Sequence, residues 1–143
     1  MKRLSLYLLI LVVFVWMLVG CNNSRKASPI NLPPIDQIED ITITGSDGTQ
    51  ALYADKEMIE RIISVITQSI PTAKQSVQDC PQVDNYGEID ISNNGGTTTI
   101  FYYRENGRNY IEQPYQGIYE TETDMDTYAV TVEQAFQGKH FMK

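Results

Sequence analysis

Beyond Pro34 the chain alternates apolar and polar side chains with two periods, and the period names the element. Ile35 to Thr44 leads into Ile41 and Ile43 set against Thr42 and Thr44, the period of two expected of a strand with one wet face. Gly45-Ser46-Asp47-Gly48 supplies a turn, and Thr49 to Tyr53 a returning strand. The spacing then changes. Ile59, Ile62, Ile63, Ile66 and Ile70 recur as a helical stripe, with Glu57, Glu60, Arg61 and Gln68 on the opposite side. Asp55 stands where an N-cap belongs, and Pro71, which lacks an N–H and disfavours helical geometry in the preceding residue, ends the helix.

Thr72 to Tyr86 has no period. Glu88-Ile89-Asp90-Ile91-Ser92 alternates again, and Asn93-Asn94-Gly95-Gly96 turns the chain. Thr97 to Arg104, rich in β-branched and aromatic residues, runs to Asn106-Gly107, a pair suited to the positive φ angles of a tight hairpin. Asn109 to Gln113 returns, and past Pro114 an extended segment leads from Gly117 to Glu122. Met125, Tyr128, Ala129, Val132 and Phe136 then fall at helical spacing before Gly138. The predicted order is ββαβββ(β)α. This is an α+β domain, an antiparallel sheet of about four to five strands with two helices on one face.

The first residues follow neither period. Met1, Lys2 and Arg3 give a positive start, Leu4 to Val19 is almost wholly apolar, and Leu18-Val19-Gly20 precedes Cys21. This layout is that of a signal peptide. The spacing Leu-x-Gly-Cys resembles the lipobox of bacterial lipoproteins, which implies diacylation of the Cys21 thiol and cleavage before it. The competing reading is an uncleaved anchor helix, since about 17 apolar residues is the lower limit for spanning a bilayer. Either way, residues 22–143 are expected outside the cytoplasm. The resulting division is 1–20 signal peptide, 21–34 lipidated cysteine and flexible linker, and 35–143 a single domain. Two acyl chains give lasting attachment to a membrane. Pro29, Pro33 and Pro34 suit an extended spacer that lifts the domain off the lipid.

Charge narrows the partners. The chain has 11 Lys+Arg against 18 Asp+Glu, and losing Lys2 and Arg3 with the leader deepens the excess of negative charge. Nucleic acid is excluded as a partner, because its affinity comes from cationic residues displacing counterions, and there is no basic stripe here. Once Cys21 is a thioether, Cys80 has no intramolecular partner and is read as a partly buried free thiol.

Tyr110-Ile111-Glu112-Gln113-Pro114-Tyr115-Gln116-Gly117-Ile118-Tyr119 resembles the signature of a small domain family of unknown function from Gram-positive (Firmicute) bacteria. Asp55-Lys56-Glu57, Ser76-Val77-Gln78-Asp79 and the aromatic strand ending at Tyr103 are similar to the family as well, so the likeness spans roughly residues 35–136. Such domains occur as lipoproteins or as outer portions of membrane proteins, some similar to antirepressor sensors. The resemblance implies a regulatory or binding role, without catalytic residues to carry over.

Within the signature, Glu112, Gln113, Tyr115, Gln116 and Tyr119 combine amide, carboxylate and phenol groups around a Pro and a Gly. They are the candidate surface for a protein, peptide or envelope component. The competing reading is structural: Pro ends a strand, Gly permits an unusual backbone angle, and the tyrosines cover a sheet edge. Tyr102, Tyr103, Tyr110, Tyr115 and Tyr119 should divide between the core and an exposed aromatic face. Glu120, Glu122, Asp124 and Asp126 at period two could face one way and attract calcium, although the EF-hand spacing is missing. A solvated face with Asp124 or Asp126 capping the second helix is the favoured reading, and Asp84, Glu88 and Asp90 read the same way. Catalysis lacks a held base, since the one histidine, His140, lies three residues from the end. No metal set and no phosphate loop are present, so no cofactor is expected. The expectation is a non-catalytic, membrane-anchored binding or sensing module. The alternatives are a cell-wall hydrolase using carboxylates such as Glu112 with Glu120, and a calcium-stabilised structural module.

Overall fold

A computed structural model describes residues 26–130. The signal peptide, Cys21, Val132, Phe136, Gly138 and His140 lie outside the described residues. After a 3-10 turn at Ile35–Gln37 come β1 (Ile38–Thr44), β2 (Gln50–Tyr53), α1 (Lys56–Thr67), β3 (Ile70–Pro71), β4 (Gly87–Asn93), β5 (Gly96–Glu105), β6 (Arg108–Gln113), β7 (Gly117–Thr121) and α2 (Asp126–Ala129). They form one seven-stranded sheet in the order β2-β1-β4-β5-β6-β7-β3. Every neighbouring pair is antiparallel.

The α+β class holds, with more strands than the four to five expected. The addition sequence periodicity did not anticipate is β3, two residues whose only mark is their pairing: Ile70 opposite Glu120 and Pro71 opposite Tyr119. Pro71 is tolerated because β3 is an edge strand, where a missing donor costs no ladder bond on the outer side. The same finding corrects the helical stripe. The helix closes at Gln68, and Ile70 is 63% exposed on the edge rather than in the core. The N-terminal expectation holds, since the Asp55 side chain accepts from the Met58 N–H at 3.1 Å.

The two faces of the sheet are covered differently. On one face, Ile41, Ile43, Ile89, Ile91, Ile100 and Ile111 meet Ile59, Ile62, Ile63 and Ile66 of α1, and Met125 and Ala129 close the end. Each fully buried aliphatic side chain of this size contributes about 1.5–3 kcal/mol relative to exposure, which makes this face the main source of stability. On the other face, Tyr103, Tyr110 and Ile118 are buried against Val83 and Tyr86, from the aperiodic segment 72–86. Tyr86 stacks edge-on to Phe101 at 5.4 Å, and Lys74 Nζ lies 4.3 Å over the Tyr110 ring.

Over its described part, the segment expected as a flexible spacer is seated on the domain. Ala27 N–H donates to Thr72 O at 2.9 Å, Asn31 exchanges two hydrogen bonds with the Gln113 side chain, and Tyr119 Oη donates to Ser28 O. Polar composition and three prolines pointed to solvent. What composition does not show is that the sheet offers these backbone groups hydrogen-bond partners.

Candidate functional site

The signature hairpin is where sequence reasoning placed a surface, and its side chains divide strictly by strand alternation. Register pairs Phe101 with Glu112, Tyr102 with Ile111 and Tyr103 with Tyr110, so Tyr110 and Glu112 point to the loop-covered face and Ile111 and Gln113 to the helix-covered one. Glu112 is buried, at 5% exposure, and its carboxylate accepts from Ser76 Oγ at 2.7 Å. Gln113 is buried at 9%, receiving the Asn31 N–H on Oε1 and donating through Nε2 to Asn31 O. Tyr119 is buried at 1%, and burial pushes its phenol pKa up. These three are internal groups with partners in their own chain.

Only the turn between the strands stays outside. Gln116 N–H donates to Gln113 O at 3.0 Å, Tyr115 takes φ 60°, and both Tyr115 and Gln116 are exposed. Tyr115 Oη donates to Asp79 Oδ1 at 2.8 Å, and that hydrogen bond raises the phenol pKa. Gly117 allows a close approach: a Cβ there would come within 2.2 Å of Ala27 Cβ. The five candidate residues thus do not form one binding surface. Glu112 fastens the loop, Gln113 and Tyr119 fasten the N-terminal segment, and Tyr115 with Gln116 crown the turn.

The acidic run does not converge either. Glu120 meets Arg108 at 3.1 Å, and Asp126 Oδ1 accepts from Tyr102 Oη at 2.9 Å. Asp124 organises the turn into α2 by accepting the Asp126 N–H at 3.1 Å. The expected extended stretch ends at Thr121, so the four carboxylates do not line one side. Among the described residues no group of His, Cys, Asp or Glu could hold a metal ion. Cys80 is exposed rather than partly buried, because segment 72–86 turns Ser76, Pro81 and Val83 inward and leaves residues 77–80 in water.

A concave site exists at the other end of the same strands. A cleft of about 300 Å³ opens where β5 and β6 meet the turn before α2, and Arg104, Asn109, Tyr103, Asn85, Asp124 and Asp126 contribute to its lining. Its floor is built by a glycine. Gly87 is the cross-strand partner of Tyr102, and a Cβ there would lie 2.2 Å from the phenol ring, so Gly87 lets that ring lie against the backbone. Held this way, Tyr102 Oη reaches Asp126 and Thr44 O at 2.9 and 3.3 Å. Burial, and next the Asp126 carboxylate, push the Tyr102 phenol well above its ordinary pKa, and burial does the same to Tyr103. Sequence reasoning missed this site, whose polar lining joins Arg104 and Asn109 of β5 and β6 to residues of separate turns at Ser46, Asn85 and Asp124. The available signal was the run of Asn, Ser and Asp at those turns.

A family described as a domain of unknown function (DUF5300) matches residues 26–120. The chain belongs to this family, DUF5301. No curated protein matches it. An NMR structure of a protein from Ruminococcus gnavus, a Firmicute, is 44% identical, with a TM-score of 0.63, covering 71% of this chain and 99% of that one. The family match begins at Lys26, so the DUF5301 domain includes the N-terminal segment fastened by Gln113 and Tyr119. The signature residues other than the crown of the turn are therefore explained by holding the DUF5301 fold together.

Proposed function

We propose that this protein is a lipid-anchored, extracytoplasmic and non-catalytic recognition module, with the cleft beside Arg104, Asn109 and Asp124 as its binding site. The carrying observation is the cleft itself, because it gathers a guanidinium, an amide, carboxylates and phenols in a concavity at the lower end of the usual size for ligand sites. Arg104 suits a carboxylate or phosphate and Asp124 an ammonium, so the ligand class is a small zwitterion or the end of a peptide. Leu18-Val19-Gly20-Cys21 supports the anchor, and the apolar run ahead of it supports export.

The hydrolase alternative finds less support. Glu112 is engaged by Ser76, Glu120 by Arg108 and Asp126 by Tyr102, so the carboxylates it needs are already hydrogen-bonded or ion-paired within the chain. A calcium-stabilised spacer would need six to eight converging oxygens, and the acidic run is spread over three different environments. No helix among the described residues is long and apolar enough to cross a membrane.

The test is crosslinking of the full chain on whole cells, with identification of what is captured. Arg104→Ala and Asp124→Asn should each reduce recovery about tenfold, the loss expected for one charge-assisted contact, while Gln116→Ala, at the opposite end, should recover as wild type does. Equal recovery from all three would refute the choice of cleft. For the anchor, mass spectrometry of the membrane fraction should find a diacylated Cys21 at the N-terminus, and Cys21→Ala should leave the precursor uncleaved.

A further inference from the structure

The seated N-terminal segment shortens the tether. Ala27 is already fixed by its bond to Thr72 O and by its packing on Gly117. The five steps from Cys21 to Lys26 span roughly 17 Å at most when fully extended. That is about half the diameter of a domain of this size. A lipid on Cys21 therefore keeps one particular corner close to the bilayer, and that corner is unlike the rest of an acidic chain. A groove of about 310 Å³ lies there, lined by Lys26, Lys74, Val77, Tyr115 and Gln116 among others, without a carboxylate in its lining. Asp79 flanks it, accepting the Tyr115 hydroxyl, and the Lys74 ammonium is engaged by Glu105. Val77 and Tyr115 are each 65% exposed, an aliphatic and an aromatic side chain standing side by side in water. Tyrosine, apolar along the ring and polar at the tip, is suited to the headgroup layer of a membrane. Lys26, in the same groove, is opposite in sign to the chain as a whole.

We propose that this corner rests on the anionic lipid surface, with Val77 and Tyr115 in the headgroup layer and Lys26 against lipid phosphates. The inference rests on the lipidation of Cys21 argued above. It fixes an orientation: strands β6 and β7 stand away from the membrane and present the Arg104 cleft at their far end to the surroundings.

Cys80 provides the probe, since it is exposed, adjoins Asp79 and is the one thiol left once Cys21 is a thioether. The full chain is extracted from the membranes of a bacterial host, and mass spectrometry establishes the lipid on Cys21. The protein is labelled with a thiol-reactive fluorophore and reconstituted in vesicles of three parts phosphatidylcholine to one part phosphatidylglycerol carrying a headgroup nitroxide. A Leu52→Cys, Cys80→Ser variant places the label on β2, the far edge of the sheet. Quenching at Cys80 should exceed that at position 52 by about threefold, and Val77→Ser with Lys26→Gln should bring the two closer together. Equal quenching at both positions in protein shown to be lipidated would overturn the orientation and leave the anchor standing. An unmodified Cys21 would overturn both.

Discussion

On the helix side of the sheet, isoleucines from five elements pack against one another with hardly a polar group among them. On the loop side, tyrosines, Phe101 and Ile118 meet a segment with no secondary structure of its own. A helix satisfies its own backbone, so covering the first face needs only shape and apolar area. A loop brings unpaired donors and acceptors, so the second cover is fastened by particular pairs: Ser76 to Glu112, Thr72 to Ile118 O, and Lys74 to Glu105. The signature hairpin serves both covers by alternation. Glu112 and Ile118 face the loop, while Gln113, Gly117 and Tyr119 face the N-terminal segment.

If the helix-side core dominates, Ile91→Ala should be the most damaging change, lowering unfolding free energy by about 3–4 kcal/mol in a urea titration through lost burial and the cavity left behind. Gly117→Ala should come next, costing about 2 kcal/mol, because the new methyl needs the space of Ala27; faster exchange of the Ala27 and Asn31 amides would locate the damage. Glu112→Ala strands the buried Ser76 hydroxyl and should cost about 1–2 kcal/mol, with Ser76→Ala, Glu112→Ala adding little further. A double variant whose cost equals the sum of two independent losses would mean that the loop is not held through this pair.

The smallest effect near neutral pH is the dependence on pH itself. Tyr102 and Tyr103 have folded-state pKa values raised by burial, so both stay protonated in the native state where the unfolded chain has begun to ionise. Their contribution is fully present below about pH 10 and is lost as pH rises above it, by up to about 1.4 kcal/mol per unit for each phenol. Melting temperatures should hold steady up to pH 9 and fall above pH 10, less steeply in Tyr103→Phe. A fall beginning near pH 8 would contradict the burial of these phenols.

The helix side was legible in the sequence, because both partners carry a period: Ile41 and Ile43 or Ile89 and Ile91 at two, Ile59 through Ile66 at the helical spacing. Turn chemistry at Asn93–Gly96 and Asn106-Gly107 marked the hairpins for the same local reason. The loop side was not legible, since Ser76 finds Glu112 thirty-six residues away and nothing near Ser76 announces it. Gln113 and Tyr119 were read as surface groups because an amide or a phenol serves a ligand and a distant backbone equally well. Which one it serves was decided by Asn31 and Ser28, more than eighty residues earlier in the chain. The cleft went unseen because its lining is shared among strand ends and turns that only folding brings together.

Amide hydrogen exchange of Ala27 and Asn31 in the full chain, read by NMR, tests whether the hairpin holds the N-terminal segment as part of the domain. Both amides should be protected to a degree comparable with Thr72, which donates to Ile118 O on the same edge, and Gln113→Ala should release Asn31 first. Exchange of both at the rate of an unstructured peptide would show that the segment is a loose linker after all.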